Sequence, residues 1–289
     1  MSAHGGYYVP QPSHWPLVGS VGLTMILGGA ASWLHHDWYG SYIFTLGFCV
    51  LIGMMFGWFG QVIYENKKGS YNLQVDKSFR WGMCWFIFSE VCFFGGFFGA
   101  LFMSRYVTIP ELGGEIYPAT HQALWPQFKA SWPLLTNPDN STFMGAEEGM
   151  GAWGLAAINT FILLTSGITI TWAHWALKVN KRTQLKIGLA CTIALGLLFL
   201  GLQVNEYIEA YTKMNLTLAS GIYGTTFFML TGFHGLHVTI GTIMLIVILL
   251  RCRAGHFTPE RHFAFEAVAW YWHFVDVVWL FLFIFVYWL

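Results

Sequence analysis

The sequence predicts an all-α integral membrane protein, and three observations carry that reading. Of the 289 residues, 56% are hydrophobic and 19% aromatic, while only 10% are charged; soluble domains carry about 25% charged residues. Apolar runs long enough to cross a bilayer as helices, roughly 20 residues each, occur at approximately 15–34, 41–64, 79–106, 152–178, 185–211, 222–251 and 263–288. The alternating segments of about ten residues that a transmembrane barrel needs do not recur. A single polytopic domain over 1–289 with seven transmembrane helices is therefore expected. The formal net charge of zero leaves no basic surface to displace counterions, which excludes nucleic acid as a partner.

Taken in order, the N-terminal MSAHGGYYVPQPSHWP has no basic segment followed by an apolar core and cleavage site, so no removable signal peptide is expected. The link between the first two runs is short, which makes them antiparallel neighbours. The second run closes with Trp58 and Glu65 before the polar, basic ENKKGSYNLQVDKS. The third run carries Glu90, about 16 Å from its start at 1.5 Å of rise per residue and so near mid-membrane. Two GxxxG pairs, Gly53 with Gly57 and Gly95 with Gly99, predict close helix approach, and Phe93, Phe94, Phe97 and Phe98 flank the second.

The external loop at about 107–151 holds Pro110, Pro118, Pro126, Pro133 and Pro138 with Trp125 and Trp132. A loop of that length without helices of its own is either functional or a cover. Its carboxylates, Glu111, Glu115, Asp139, Glu147 and Glu148, fit a solvated surface or an acidic face for a basic partner. Asn140 opens an Asn-Ser-Thr glycosylation match, which carries no weight in a bacterial protein.

The last four runs bring further polar groups. His174 lies near one end of the fourth run and Glu206 near the far end of the fifth, while Glu266 opens the seventh; each is expected to snorkel or to bond a neighbour. Arg251 closes the sixth run, and an arginine beside membrane tryptophans suits a phosphate headgroup as well as plain interfacial anchoring. His234 and His237 in the sixth run, with His273 and Asp276 in the seventh, share the depth of Glu90. Such a buried ionisable layer is either a proton or ion relay or a set of interhelical hydrogen bonds, each worth about 1 kcal/mol or less. The His-x-x-His of His234 and His237 has no evident third ligand, so no metal site is expected. Cys49, Cys84, Cys92, Cys191 and Cys252 are scattered without metal-like or disulfide-like spacing and read as small packing residues.

Orientation follows from the bases. Lys67, Lys68, Lys77, Arg80, Lys178, Lys181, Arg182, Lys186, Arg251, Arg253 and Arg261 fall on the side of the N-terminus, and only Arg105, Lys129 and Lys213 on the other. That positive-inside bias puts the N-terminus in the cytoplasm, or the matrix of an organelle, and the C-terminus across the membrane.

Several stretches, FEAVAWYWHFVDVVWLFLF, TGFHGLHVTIGT, TWAHWAL, GLQVNEY and FSEVCFF, resemble subunit III of the aa3-type cytochrome c oxidases of the haem–copper oxidase superfamily. The likeness runs from about residue 15 to 288. It implies seven helices split into a two-helix and a five-helix bundle by a cleft filled with phospholipid. It also implies that haem a and copper belong to subunits I and II, the partners that reduce oxygen, pump protons and receive electrons from cytochrome c. This chain would then carry no redox centre and no catalytic residue. Its role in the proton-translocating oxidoreductase would be to bind phospholipid and to support sustained turnover and proton uptake. Glu90 matches the family's buried glutamate, and Trp58, Glu65 and Arg251 fall at positions the family uses around lipid headgroups.

Departures from the pattern are Trp175, where a second histidine often follows, and GWFGQVIYE, which lacks an arginine–aspartate pair. The loop at 107–151 is longer than in mitochondrial forms, which favours a bacterial inner membrane with a periplasmic C-terminus. Three other readings stand beside this one: the equivalent subunit of a quinol oxidase, against which seven rather than five spans count; a self-contained ion transporter, which broken helices or paired halves would support; and a haem-bearing quinone enzyme, for which the mid-depth histidines of the sixth and seventh runs would be the axial ligands.

Overall fold

A computed structural model describes residues 8–9 and 12–289; the expected lack of a signal peptide concerns a stretch that falls largely outside them. Among the described residues the regular structure is entirely helical. Seven helical stretches are long and apolar enough to cross a membrane. In chain order the α-helices are α1 (Trp15–Leu34), α2 (Gly40–Lys68), α3 (Leu73–Met103), α4 (Ile109–Leu112), α5 (Pro118–Leu124), α6 (Leu155–Lys178), α7 (Arg182–Lys213), α8 (Ile222–Arg253) and α9 (Phe263–Leu282). The chain divides into two compact units, 1–81 and 82–289, so the first few turns of α3 belong with α1 and α2.

In the first unit α1 and α2 form an antiparallel hairpin whose buried residues are Gly19, Gly22 and Gly29 on α1 and Gly40, Gly47 and Met54 on α2. Lipid tails are as apolar as leucine, so helices gain little from burying leucine against one another; close backbone contact gains more. A Cβ added at Gly47 would lie 2.7 Å from the Ile26 nitrogen, and one at Gly29 would strike the Phe44 backbone. The GxxxG pairs picked out from the sequence do not serve this purpose. Gly53, Gly95 and Gly99 have open space where a Cβ would go, and Gly57 is backed by the Trp15 ring rather than by a helix backbone. Spacing alone identifies a small stripe, and helix rotation decides whether that stripe meets anything.

The second unit is built on a ring in which α6 packs on α7, α7 on α8, α8 on α9 and α9 back on α6. Its centre is aromatic and polar at once. Trp272 is fully buried and donates from Nε1 to Ser166 Oγ at 2.8 Å. Trp279, also buried, donates to Thr160 Oγ1 at 2.9 Å. Thr169 meets Thr192 at 2.7 Å and Tyr207 meets Thr231 at 2.7 Å. Each bond satisfies a polar atom that the hydrocarbon could not. Gly241 and Gly196 lie where Trp272 needs room, since an added Cβ would sit 2.9 Å and 2.8 Å from its ring. α3 reaches α8 and α9 through long side chains instead: Phe93 stacks edge-on against Phe233, and Phe94 approaches Phe274.

The stretch expected as one long loop is more ordered than its prolines suggest. The end of α3 runs through a π-helical turn, Ser104–Thr108, into α4, and α5 follows. Ile109, Phe128, Leu134, Ala146 and Ala152 are buried in the same core as the helices. The Met150 amide donates to Tyr223 Oη at 2.8 Å, and the Glu147 amide to the Met214 carbonyl at 2.8 Å. The segment is a cover over one end of the α7–α8 pair.

Candidate functional site

The residues expected to form a buried ionisable layer resolve into separate pairs. Glu90 on α3 and His237 on α8 meet at 2.8 Å between Oε2 and Nε2. The other imidazole nitrogen, Nδ1, lies 2.6 Å from the Phe233 carbonyl. A carbonyl only accepts, so Nδ1 carries the proton of that bond. The Nε2–Oε2 contact therefore needs a proton of its own. The pair is either imidazolium with carboxylate or imidazole with carboxylic acid. Both are neutral overall, which is the condition for holding ionisable groups away from water. Phe93, Phe94 and Tyr271 surround the imidazole.

The second pair lies on α9, where His273 Nδ1 and Asp276 Oδ2 are 3.5 Å apart, three residues along one helical face. His273 Nε2 reaches Thr171 Oγ1 on α6 at 3.2 Å. The Thr171 hydroxyl already donates to the Gly167 carbonyl at 2.8 Å, so it accepts from the imidazole. Gly167 makes room for the pair: an added Cβ would come 2.5 Å from Asp276 Oδ2. His234, the fifth member, is fully buried and donates from Nε2 to the Val275 carbonyl at 3.2 Å. Its Nδ1 is buried with no hydrogen-bond partner. Among the described residues no hydrogen bond links His234, the Glu90 pair and the His273 pair into one path.

The three residues matched to lipid headgroups lie in different surroundings. Trp58 is half exposed on α2. Glu65 accepts from Gln61 Nε2 at 2.9 Å and from Tyr71 Oη at 2.8 Å, and Gln61 in turn accepts from Trp15 Nε1 at 2.8 Å. That network fastens the start of α1 to the end of α2. The Tyr71 hydroxyl, in the link after α2, is pushed well above its usual pKa, first by burial and then by the Glu65 carboxylate. Arg251 at the end of α8 lies over the Phe257 ring at 4.4 Å, with its Nε buried and without a hydrogen-bond partner. Arg182 reaches the Phe257 carbonyl at 2.9 Å, which brings a second guanidinium to the same turn.

Other features were not legible from residue types alone. Glu206, expected near an interface, is buried at 1% exposure and accepts from Gln203 Nε2 at 2.6 Å and Tyr287 Oη at 3.0 Å. An apolar cavity of about 620 Å³ opens between α3 and α9, walled by Phe94, Gly95, Phe98, Phe274 and Phe281 with Arg105 and Tyr106. His174, Glu266 and His262, which the sequence treats as unrelated or passes over, come together: their ligating atoms all lie within 4.8 Å of one another. The signal in the sequence was the spacing of His262 and Glu266, four apart and so on one face of a helix.

Comparison with known proteins adds an independent finding. The chain matches the family model described as cytochrome c oxidase subunit III over residues 5–137 and 143–289, and the short interruption falls in the cover segment. It is 43% identical over 283 residues to cytochrome c oxidase subunit 3 of Cyprinus carpio, a match spanning 98% of this chain and 96% of the relative. With the protein of the same description from Formosania lacustris the identity is 44%, and with that from Petromyzon marinus 40%, over the same shares of both chains.

Proposed function

The chain belongs to the cytochrome c oxidase subunit III family, and from that premise we propose that it is the lipid-holding, non-redox subunit of its complex. Membership makes it a membrane-embedded part of an oxidoreductase assembly. Its proposed partners are subunits I and II, which would hold haem a and copper and take electrons from cytochrome c. Its own work is to keep phospholipid in place and so to support sustained turnover and proton uptake by those subunits.

The observation that carries this reading is the state of Arg251. A guanidinium with a buried, unpartnered Nε and an aromatic face beneath it is costly in a membrane protein unless an anion completes it. A phospholipid phosphate at the interface supplies one, and Arg182 beside the same turn adds a second donor. The cavity between α3 and α9 supports the same reading from the other end of the bundle, because its phenylalanine walls suit an acyl chain and Arg105 a headgroup. The ionisable layer fits a packing role, since each member is committed to a local partner. The proposed placement is a bacterial inner membrane, on the length of the cover segment, with the N-terminus cytoplasmic and the C-terminus periplasmic. The three relatives named above are vertebrate proteins and lend the bacterial placement no support.

The test uses the intact complex. Arg251→Ala is expected to assemble with a normal haem spectrum, to retain less phospholipid by mass spectrometry, and to lose activity sooner during turnover. Unchanged lipid content would refute the role given to Arg251. A haem band in the isolated chain would refute the non-redox reading.

A further inference from the structure

We propose that His174, His262 and Glu266 form a binding site for one zinc ion, which ties the end of α6 to the start of α9. Both imidazoles present Nε2 to the same carboxylate oxygen: Glu266 Oε1 lies 3.5 Å from His174 Nε2 and 3.5 Å from His262 Nε2. Zinc holds nitrogen and oxygen ligands at about 2.0–2.1 Å in a tetrahedron, which puts neighbouring ligand atoms about 3.3–3.4 Å apart. Two edges of the site are thus at tetrahedral length already, and the third is within 4.8 Å.

The hydrogen bonding of His262 is a second, geometric observation. Its Nδ1 lies 3.2 Å from the Thr258 carbonyl, which only accepts, so that nitrogen carries the proton. Its Nε2 is left facing the Glu266 carboxylate oxygen at 3.5 Å. It is buried and makes no hydrogen bond. Either the proton of an imidazolium or a metal ion can balance this carboxylate, and the two imidazole Nε2 atoms on one Oε1 give the geometry of the second. A backbone carbonyl that fixes the distal nitrogen of a ligating histidine is the usual support of a metal site. Two imidazoles with one carboxylate suit zinc, and a fourth position remains for water. The side chains are 18%, 9% and 13% exposed, so an ion can enter and still be largely shielded.

The cluster lies at the end of the bundle that carries Lys178 and Arg261. Nothing in the site bears on electron transfer, and the proposal stands whether or not Arg251 binds lipid.

The test is zinc K-edge anomalous scattering from crystals or oriented samples of the intact complex, stripped with chelator and resupplied with stoichiometric zinc. A peak among His174, His262 and Glu266 is expected; peaks only elsewhere would overturn the assignment without any variant being made. Zinc per complex, counted by mass spectrometry after gel filtration, is expected to fall by one equivalent in Glu266→Gln and in His262→Gln. An unchanged count in assembled variants would also overturn it.

Discussion

The two units of this chain solve the same problem in opposite ways. In a bilayer, helices cannot be driven together by excluding water from leucine, so contact must come from backbone proximity or from specific polar bonds. The α1–α2 hairpin uses the first: the residues it buries are five glycines and Met54. The α6–α9 ring uses the second, with two buried indoles each held by a hydroxyl across a helix interface. The contrast explains where ionisable groups are tolerated. The ring and the α3 face against it hold Glu90, Glu206, His234, His237 and Asp276, because large side chains leave pockets in which a partner can be placed. A glycine seam leaves no such room.

The largest effect should come from emptying the ring. Trp272→Ala removes a fully buried indole and its bond to Ser166, and a cavity of that kind costs about 3–5 kcal/mol where the surroundings cannot collapse. Thermal release of this chain from the purified complex should shift down strongly. A shift no larger than that of an exposed control such as Trp81→Ala would mean that the indoles do not hold the ring together.

Next is the hairpin. Gly29→Leu places a side chain against the Phe44 backbone, and overpacking costs about 1–3 kcal/mol or forces α1 away from α2. At Gly53 an added Cβ meets nothing within 4 Å, so Gly53→Leu should be silent. Protease sensitivity of the link at 35–39 in detergent distinguishes the two variants. Equal behaviour would erase the difference drawn between a seam glycine and an open one.

These two positions also show how far the sequence could be read. Helix number and class follow from length and composition, which need no knowledge of partners. Facing does not, because helices apolar on all sides carry no stripe that fixes their rotation. Hence Gly53 and Gly95 looked like contacts and Gly29 did not. Likewise Glu90 and His237 could be assigned to one depth, while their 2.8 Å contact needed the rotations of both α3 and α8. His262 was passed over because it lies just before a helix, where a histidine looks like a loop residue until its neighbour on α6 is known. For the segment at 107–151 the sequence left a cover and a functional loop both open for a related reason: prolines mark where regular structure breaks, not whether the broken chain is packed.

A smaller effect is expected at the Glu90–His237 pair. Glu90→Gln keeps a hydrogen bond to the imidazole, since an amide can donate to the lone pair of Nε2 while Nδ1 still serves Phe233. The cost should be below about 1 kcal/mol, with the complex assembled and the haem spectrum unchanged. Loss of the haem signal would give the pair a role in the partner subunits that local packing does not explain.

The smallest effect is local and lies outside the membrane, in the cover segment. Asp139 accepts from Ser141 Oγ at 2.6 Å and from the Ser141 and Thr142 amides at 3.2 Å each. These bonds, led by the Ser141 hydroxyl, hold its carboxyl below the usual aspartate value of 3.8. A carboxylate whose pKa is depressed by folding adds stability above its unfolded value, and that contribution disappears as pH falls through the folded value. The turn at 139–142 should therefore loosen only below about pH 4, without disturbing the helices. Because the group faces water, the rest of the protein should register nothing. Faster amide exchange at Ser141 and Thr142 under acid, absent from Asp139→Asn, is the expected signature. Acid sensitivity that spread to the α6–α9 ring would tie the cover to the core more tightly than its surface turn suggests.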